Sequence, residues 1–210
     1  MVSYVCPQVD DYIIVDTMPG TQNYLENYFR HNLANATWMT SRWSEIMSRP
    51  RRCFVPKAGN TTIRCEKLLQ RDPRVADVGM DFPAFNPNFK YNPDSRWWYI
   101  TSPATPKSMW FDTVAKIDQK ERRVVEVYHE AGVYVMETNF IPRPGATEEE
   151  DGLLFSIFYN STADSSFMAM LDPKTMRIVE KVEMGMVIPY HSHGVLCLPG
   201  ASDRKCFSNP

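Results

Sequence analysis

Two of the four histidines in these 210 residues fall within one heptapeptide, Ile188-Pro189-Tyr190-His191-Ser192-His193-Gly194. Imidazoles at i and i+2 can ligate a metal, form a polar patch on a strand edge, or do no chemistry at all. Spacing elsewhere in the chain bears on the choice. Asp81 in GMDFPAFNP, Glu137 in VMETNFIPRPG and His193 all lie near prolines and recur at intervals of 56 residues. If that interval is a structural period, two carboxylates and one imidazole converge from different sides on one point. Such a set suits a metal site in which carboxylates orient ligand imidazoles. The same residues would serve equally as turn formers between units.

The elements that would position them read as all-β. From about Arg52 onward, short β-rich runs alternate with proline, asparagine, glycine and charged turns: RRCFVP, TTIRCEKLL, RWWYITS, DTVAKID, RRVVEVY, GVYVME, GLLFSIFY, SFMAMLD and RIVEKVEM. Before them, DDYIIVD reads as a strand, with no capping element ahead of it. NYLENYFRHNLAN carries Leu25, Tyr28, Phe29 and Leu33 at helical spacing, which predicts one short helix near the N-terminus. The stretch from Val114 to Lys120 lies without a gap over Met168 to Lys174, an offset of 54 residues, with Asp118 on Asp172 and Lys120 on Lys174. Each copy is a strand, a polar turn and a second strand, preceded by another β run. A unit of about four strands in about 50 residues is the size of a propeller blade, whose innermost strands line a common axis.

Bulk properties bound the rest. A hydrophobic fraction of 43% with 23% charged residues is globular, and a net charge of −2 leaves no basic stripe for nucleic acid. Cys6, Cys53, Cys65, Cys197 and Cys206 are odd in number, scattered and without a CxxC, so they read as free thiols in a reducing compartment. The longest apolar run, GLLFSIFY, is too short to span a bilayer. Glu148 to Asp151 reads as a solvated acidic turn, and Arg49, Arg51 and Arg52 as surface charge.

The segment from Glu137 to Gly194 resembles the C-terminal part of the carotenoid oxygenases, the carotenoid cleavage dioxygenases and their retinoid isomerohydrolase relatives. The residues that carry the resemblance are Glu137-Thr138-Asn139-Phe140-Ile141-Pro142-Arg143-Pro144-Gly145-Ala146, Glu149-Glu150-Asp151-Gly152, Leu171-Asp172-Pro173-Lys174-Thr175, and Ile188-Pro189 to His193-Gly194. Upstream, DFPAFNPNF is similar to the family's E-x-P-x-x-N stretch. The resemblance implies a seven-bladed β-propeller, of which residues 1–210 would be roughly the last four blades. It implies an axial Fe(2+) held by four histidines, three of them backed by glutamates. Carried over, His193 matches the last ligand and Glu137 the carboxylate behind a ligand. Asp81 stands where the family has another such glutamate, Thr138 replaces a proline, and Ser192 replaces an aromatic. His191 falls at a variable position of the motif and is the weaker candidate; His31 and His129 match no ligand. The other three ligands would precede residue 1, so the chain resembles a C-terminal portion of an enzyme, inactive by itself.

The implied reaction is oxidative cleavage by O2 of a conjugated C=C bond in a carotenoid or apocarotenoid, giving two carbonyl products. Retinoid isomerohydrolase chemistry, or a degenerate propeller that binds without iron, are the alternatives. A substrate dissolved in membranes implies contact with a membrane surface, to which Trp97-Trp98 and Met109-Trp110-Phe111 could contribute if they are not core. The cytoplasm or a plastid is the implied location.

Overall fold

The structure is a computed structural model that describes residues 3–9, 11–18, 49–59, 62–76, 79–92, 94–105, 108, 110–189, 193–194, 196–197 and 206–207. The predicted helix at 23–33, His31 and His191 lie outside the described residues. Within them the fold is all-β. The strands are β1 (Ser3–Val9), β2 (Tyr12–Thr17), β3 (Arg51–Pro56), β4 (Arg64–Lys67), β5 (Asp81–Ala84), β6 (Trp97–Ser102), β7 (Thr113–Asp118), β8 (Arg123–His129), β9 (Val133–Pro142), β10 (Gly152–Asn160), β11 (Ser165–Leu171), β12 (Ile178–Glu183), β13 (Leu196–Cys197) and β14 (Cys206–Phe207), with one 3-10 turn at Pro87–Phe89. Three sheets are antiparallel meanders in strict chain order, β1 to β4, β5 to β8 and β9 to β12, and β13 pairs with β14. Four consecutive strands per sheet, repeated along the chain, are blades of a β-propeller.

The repeat seen in the sequence is the third strand of a blade and the turn after it. Asp118 Oδ1 accepts the N–H groups of Lys120 and Glu121, at 3.1 and 3.0 Å. Asp172 Oδ1 accepts those of Lys174 and Thr175, at 2.7 and 2.9 Å. An aspartate side chain closes the same turn in each copy by satisfying backbone donors that would otherwise be left open.

Hydrophobic burial lies between blades. One cluster joins Ala84, Tyr99 and Val114 of the second blade to Val135, Phe140, Leu154, Phe158 and Phe167 of the third. Another joins Met18, Leu68, Val75 and Met80 to Trp98, Ile100, Ala115 and Ile117. The second blade is therefore covered on both faces, and every residue of β7 is buried. Along β10, by contrast, buried and half-buried residues alternate, as in a strand packed on one face. Each fully buried Phe, Leu or Ile here contributes about 1.5–3 kcal/mol.

Contacts between blades and within them correct three expectations. The acidic run is a latch: Glu149 accepts bonds from Ser95 Oγ at 2.6 Å and from the N–H groups of Arg96 and Trp97, each at 2.8 Å. Glu150 pairs with the buried Lys116, whose ammonium also lies over the Trp97 ring. Asn86, from the DFPAFNPNF stretch, donates to Glu149 O at 3.1 Å. Arg52 forks the buried Asp16 at 2.8 and 2.7 Å and reaches toward Gln119, so it is an interior ion pair. Cys53 and Cys65 are disulfide-bonded, because the β3–β4 register sets them directly opposite with Cα atoms 4.0 Å apart. With that bond in place, cysteine usage no longer points to a reducing compartment. Trp98 is buried in the core and Trp97 is packed beneath two cations, which takes both from any membrane-facing patch.

Four strands escape sequence pattern, the two-residue β13 and β14 by their brevity and β1 and β5 by their prolines. β1 precedes the run expected to open the chain, and Pro7 lies inside its register shift between Cys6 and Val9. In β5, Pro83 lies inside the shift between Asp81 and Ala84. Proline cannot donate to a ladder, so a pattern reading discounts these strands; bulges at which no N–H is required accommodate it.

Candidate functional site

Glu137 occupies a bulge in β9. Thr138 pairs with Ser156 and Val135 with Phe158, so Met136 and Glu137 together oppose Ile157. The Ser156 hydroxyl donates to Glu137 O at 3.0 Å and pins the distortion. Bulges re-aim a side chain out of the ordinary alternation. Here the redirected group is a carboxylate whose side chain is 4% exposed.

That carboxylate meets the segment around His193. Its Oε2 accepts the N–H of Gly194 at 2.7 Å, and its Oε1 lies 3.5 Å from Nδ1 of His193. The close bond to the Gly194 N–H fixes the chain beside the histidine, so that His193 presents Nδ1 to the carboxylate. A carboxylate can only accept there, so in the neutral ring Nδ1 is the nitrogen suited to carry the hydrogen and Nε2 the one suited to ligate. The His193 side chain is 73% exposed, so Nε2 is accessible.

Asp81 begins the adjacent innermost strand, β5, beside a second bulge. Asp81 pairs with Thr101 and Ala84 with Tyr99, so Phe82 and Pro83 oppose Ile100. Asp81 Oδ1 accepts the Phe82 N–H at 2.8 Å. Burial pushes the Asp81 carboxyl above the usual carboxylate range and the Glu137 charge acts in the same direction, against the Phe82 hydrogen bond and the field of His193. The three residues spaced by 56 are thus brought to one region, with Glu137 in contact with His193 and Asp81 coupled to both through space.

Phe82 was not singled out from the sequence. Its ring stands perpendicular to the His193 imidazole with centroids 5.6 Å apart, and its backbone has φ of 49°. No sequence pattern announces this, because pre-proline sterics predict an extended residue there. His129 lies apart from this group, with Nδ1 2.8 Å from Asp112 O. Among the described residues, no set of three or more His, Cys, Asp or Glu is arranged to hold a metal by itself. A single imidazole with carboxylates behind it fits one corner of a larger metal site, and the free Nε2 is the atom that would ligate.

An apolar cavity of about 330 Å³ borders the same bulge, lined by Trp110, Tyr134, Met136, Tyr159, Val187 and Ile188. Met136 belongs to the bulge, and Ile188 opens the segment that leads to His193. No helix among the described residues is long and apolar enough to cross a membrane.

Comparison with known proteins agrees with this architecture. Carotenoid cleavage dioxygenase 8 homolog B, chloroplastic, of Oryza sativa subsp. japonica is 32% identical over 139 residues, covering 66% of this chain and 23% of that protein. The mitochondrial carotenoid-cleaving dioxygenase of Mustela putorius furo is 26% identical over 140 residues, covering 66% and 25%. The chain therefore spans about a quarter of the length of the curated relatives it matches. Among solved structures, a mutant of the Synechocystis apocarotenoid oxygenase superposes with a TM-score of 0.71 at 16% identity, over 90% of this chain and 37% of that one. The cobalt-substituted form of that oxygenase gives 0.69 at 17% identity, over 91% and 38%. The retinal pigment epithelial membrane protein family matches residues 4–196, and the chain belongs to that family, the carotenoid oxygenases.

Proposed function

We propose that this chain supplies one imidazole ligand and its orienting carboxylate to the iron centre of a carotenoid or apocarotenoid oxygenase, of which it forms a C-terminal portion. The observation that carries the reading is the buried Glu137 carboxylate, held on the Gly194 N–H and facing Nδ1 of His193, so that Nε2 is left free. The Synechocystis apocarotenoid oxygenase, of the same fold, exists in a cobalt-substituted form, which supports a metal in this architecture. Neutral imidazoles suit ferrous iron, and a carboxylate on the far ring nitrogen fixes the tautomer and raises the basicity of the ligating one. The remaining imidazoles come from outside the described residues.

When bound, the iron supplies activation of O2 for cleavage of a conjugated C=C bond into two carbonyl products. This chain's residues hold and orient. Glu137 aligns the imidazole, Gly194 anchors Glu137, and the cavity offers a polyene substrate an apolar surface whose described lining residues carry no charge. The same chemistry makes a carotenoid or apocarotenoid, O2 and a membrane surface the partners, and a plastid is a location consistent with the chloroplastic relatives, others being mitochondrial.

The test is made in the full-length protein carrying this chain, by iron content and product analysis with a panel of carotenoids. His193→Ala should lose iron and turnover, whereas His191→Ala should keep both. The opposite result would sink the ligand assignment and the 56-residue register behind it. Cleavage without bound iron would sink the function.

A further inference from the structure

We propose that Phe82 is a positioning residue for the His193 imidazole, pressed against it by a strained turn in the innermost strand β5. The proposal rests on the reading of His193 as a metal ligand. Three observations meet at this ring. Its plane is perpendicular to the imidazole, at 88° with centroids 5.6 Å apart. On another side it is perpendicular to Phe111, at 87° and 5.5 Å, and Phe111 packs against the buried cluster between the second and third blades. The three rings form a continuous path from the rigid core to the histidine. The backbone of Phe82 has φ of 49°, in the left-handed region, and the residue precedes Pro83.

A bulky side chain in that conformation before proline costs energy and persists only where its surroundings hold it. The holding groups are present. Asp81 Oδ1 accepts the Phe82 N–H at 2.8 Å, and the Thr101 hydroxyl donates to Asp81 O at 2.8 Å. Asp81 fixes the turn that aims Phe82 through its Oδ1 and its backbone carbonyl. Glycine would take this backbone without strain. What phenylalanine adds is the ring.

The histidine has need of it. Its side chain is 73% exposed, and its approach to Glu137 at 3.5 Å is long for an N–H···O bond. One long hydrogen bond leaves the ring plane poorly defined, whereas a perpendicular aromatic neighbour restricts rotation of the plane itself. Phe82 therefore sets the direction of Nε2, while Glu137 sets which nitrogen ligates.

The test uses the full-length protein loaded with Co(II), whose ligand-field absorption reports coordination geometry. Phe82→Leu should release cobalt to a chelator about 2- to 10-fold faster than the parent, with shifted or broadened bands. Phe82→Tyr, which keeps the ring, should stay within about 2-fold. Phe82→Gly separates ring from strain: it should hold or raise Tm and still release cobalt as fast as Phe82→Leu. Parent-like release and bands in both the Leu and Gly variants, with cobalt lost in His193→Ala, would overturn the positioning role and leave the metal reading standing. Retention of cobalt by His193→Ala would overturn the metal reading, and the positioning role with it. Should Phe82→Leu not fold, the Gly variant decides alone.

Discussion

Glu137 and His193 were legible as a pair because a period of 56 residues is a statement about geometry: equivalent places in successive blades face one axis. Phe82 was not legible, because a positive φ leaves no trace in residue type unless the residue is glycine. The contribution of Glu137 can be measured in the full-length protein. Glu137→Gln should keep the fold and lower iron retention or turnover by about 10- to 100-fold, whereas Asp81→Glu should be mild. Unchanged iron and rate in Glu137→Gln would remove the case for an orienting carboxylate. Asp118 offers a test of the turn that closes the repeat. Burial opposes its ionisation, but the Arg96 guanidinium at 2.9 and 2.7 Å and the Glu121 and Lys120 N–H groups outweigh burial and hold its carboxyl below the usual range. A depressed folded pKa contributes stability above the unfolded value of about 4, lost as pH falls through the folded value. The Tm gap between the parent chain and Asp118→Asn should therefore be widest near neutral pH and narrow below about pH 4. A gap constant down to about pH 2 would mean that the ion pair is not its source.

Among the elements, strands with apolar alternation or continuous β-branched runs were readable, and those interrupted by proline were not. β10 shows its alternation openly, whereas β5 is four residues long with Pro83 in its bulge and reads as a boundary. The acidic stretch was misread for a related reason. Charge in a turn normally means solvent, and nothing local reveals that Glu149 will find three donors more than fifty residues away. The glycine that ends this stretch has a steric cause. A Cβ on Gly152 would run into the Phe140 ring and come within 2.5 Å of Ile141 O, on the strand with which β10 pairs. Phe140 lies over that gap and reaches Tyr99 of the second blade, at 5.8 Å between centroids. Gly152→Ala should thus destabilise by about 1–3 kcal/mol through overpacking, seen as a lower urea midpoint with an unchanged slope. A midpoint equal to the parent's would show that β9 and β10 can part there at little cost.

For the molecule as a whole, propeller architecture was inferable because repetition exposes itself at any distance along the chain, and three four-stranded blades in chain order follow it. The contacts that bind blade to blade were beyond the sequence's reach, since the reach of Arg52 to Gln119, the Glu149 latch and the Lys116–Glu150 pair each depend on three-dimensional register. One consequence concerns time rather than place. The second blade is covered by neighbours on both faces, with β7 wholly buried, while β4 and β12 are largely exposed outer strands. Amide protons in β6 and β7 have no route to solvent that spares the flanking packing, so they should exchange with deuterium only when the flanking blades open together. Those of β12 and β4 should exchange through local fraying, far sooner. Mass spectrometry of peptides spanning Trp97–Ser102, Thr113–Asp118 and Ile178–Glu183 would resolve the order, and earlier labelling of the central blade would contradict it. The middle of the three described four-stranded blades is thereby the slowest clock among them, and its innermost strand, which carries Asp81 and Phe82, is joined to the rest by hydrogen bonds.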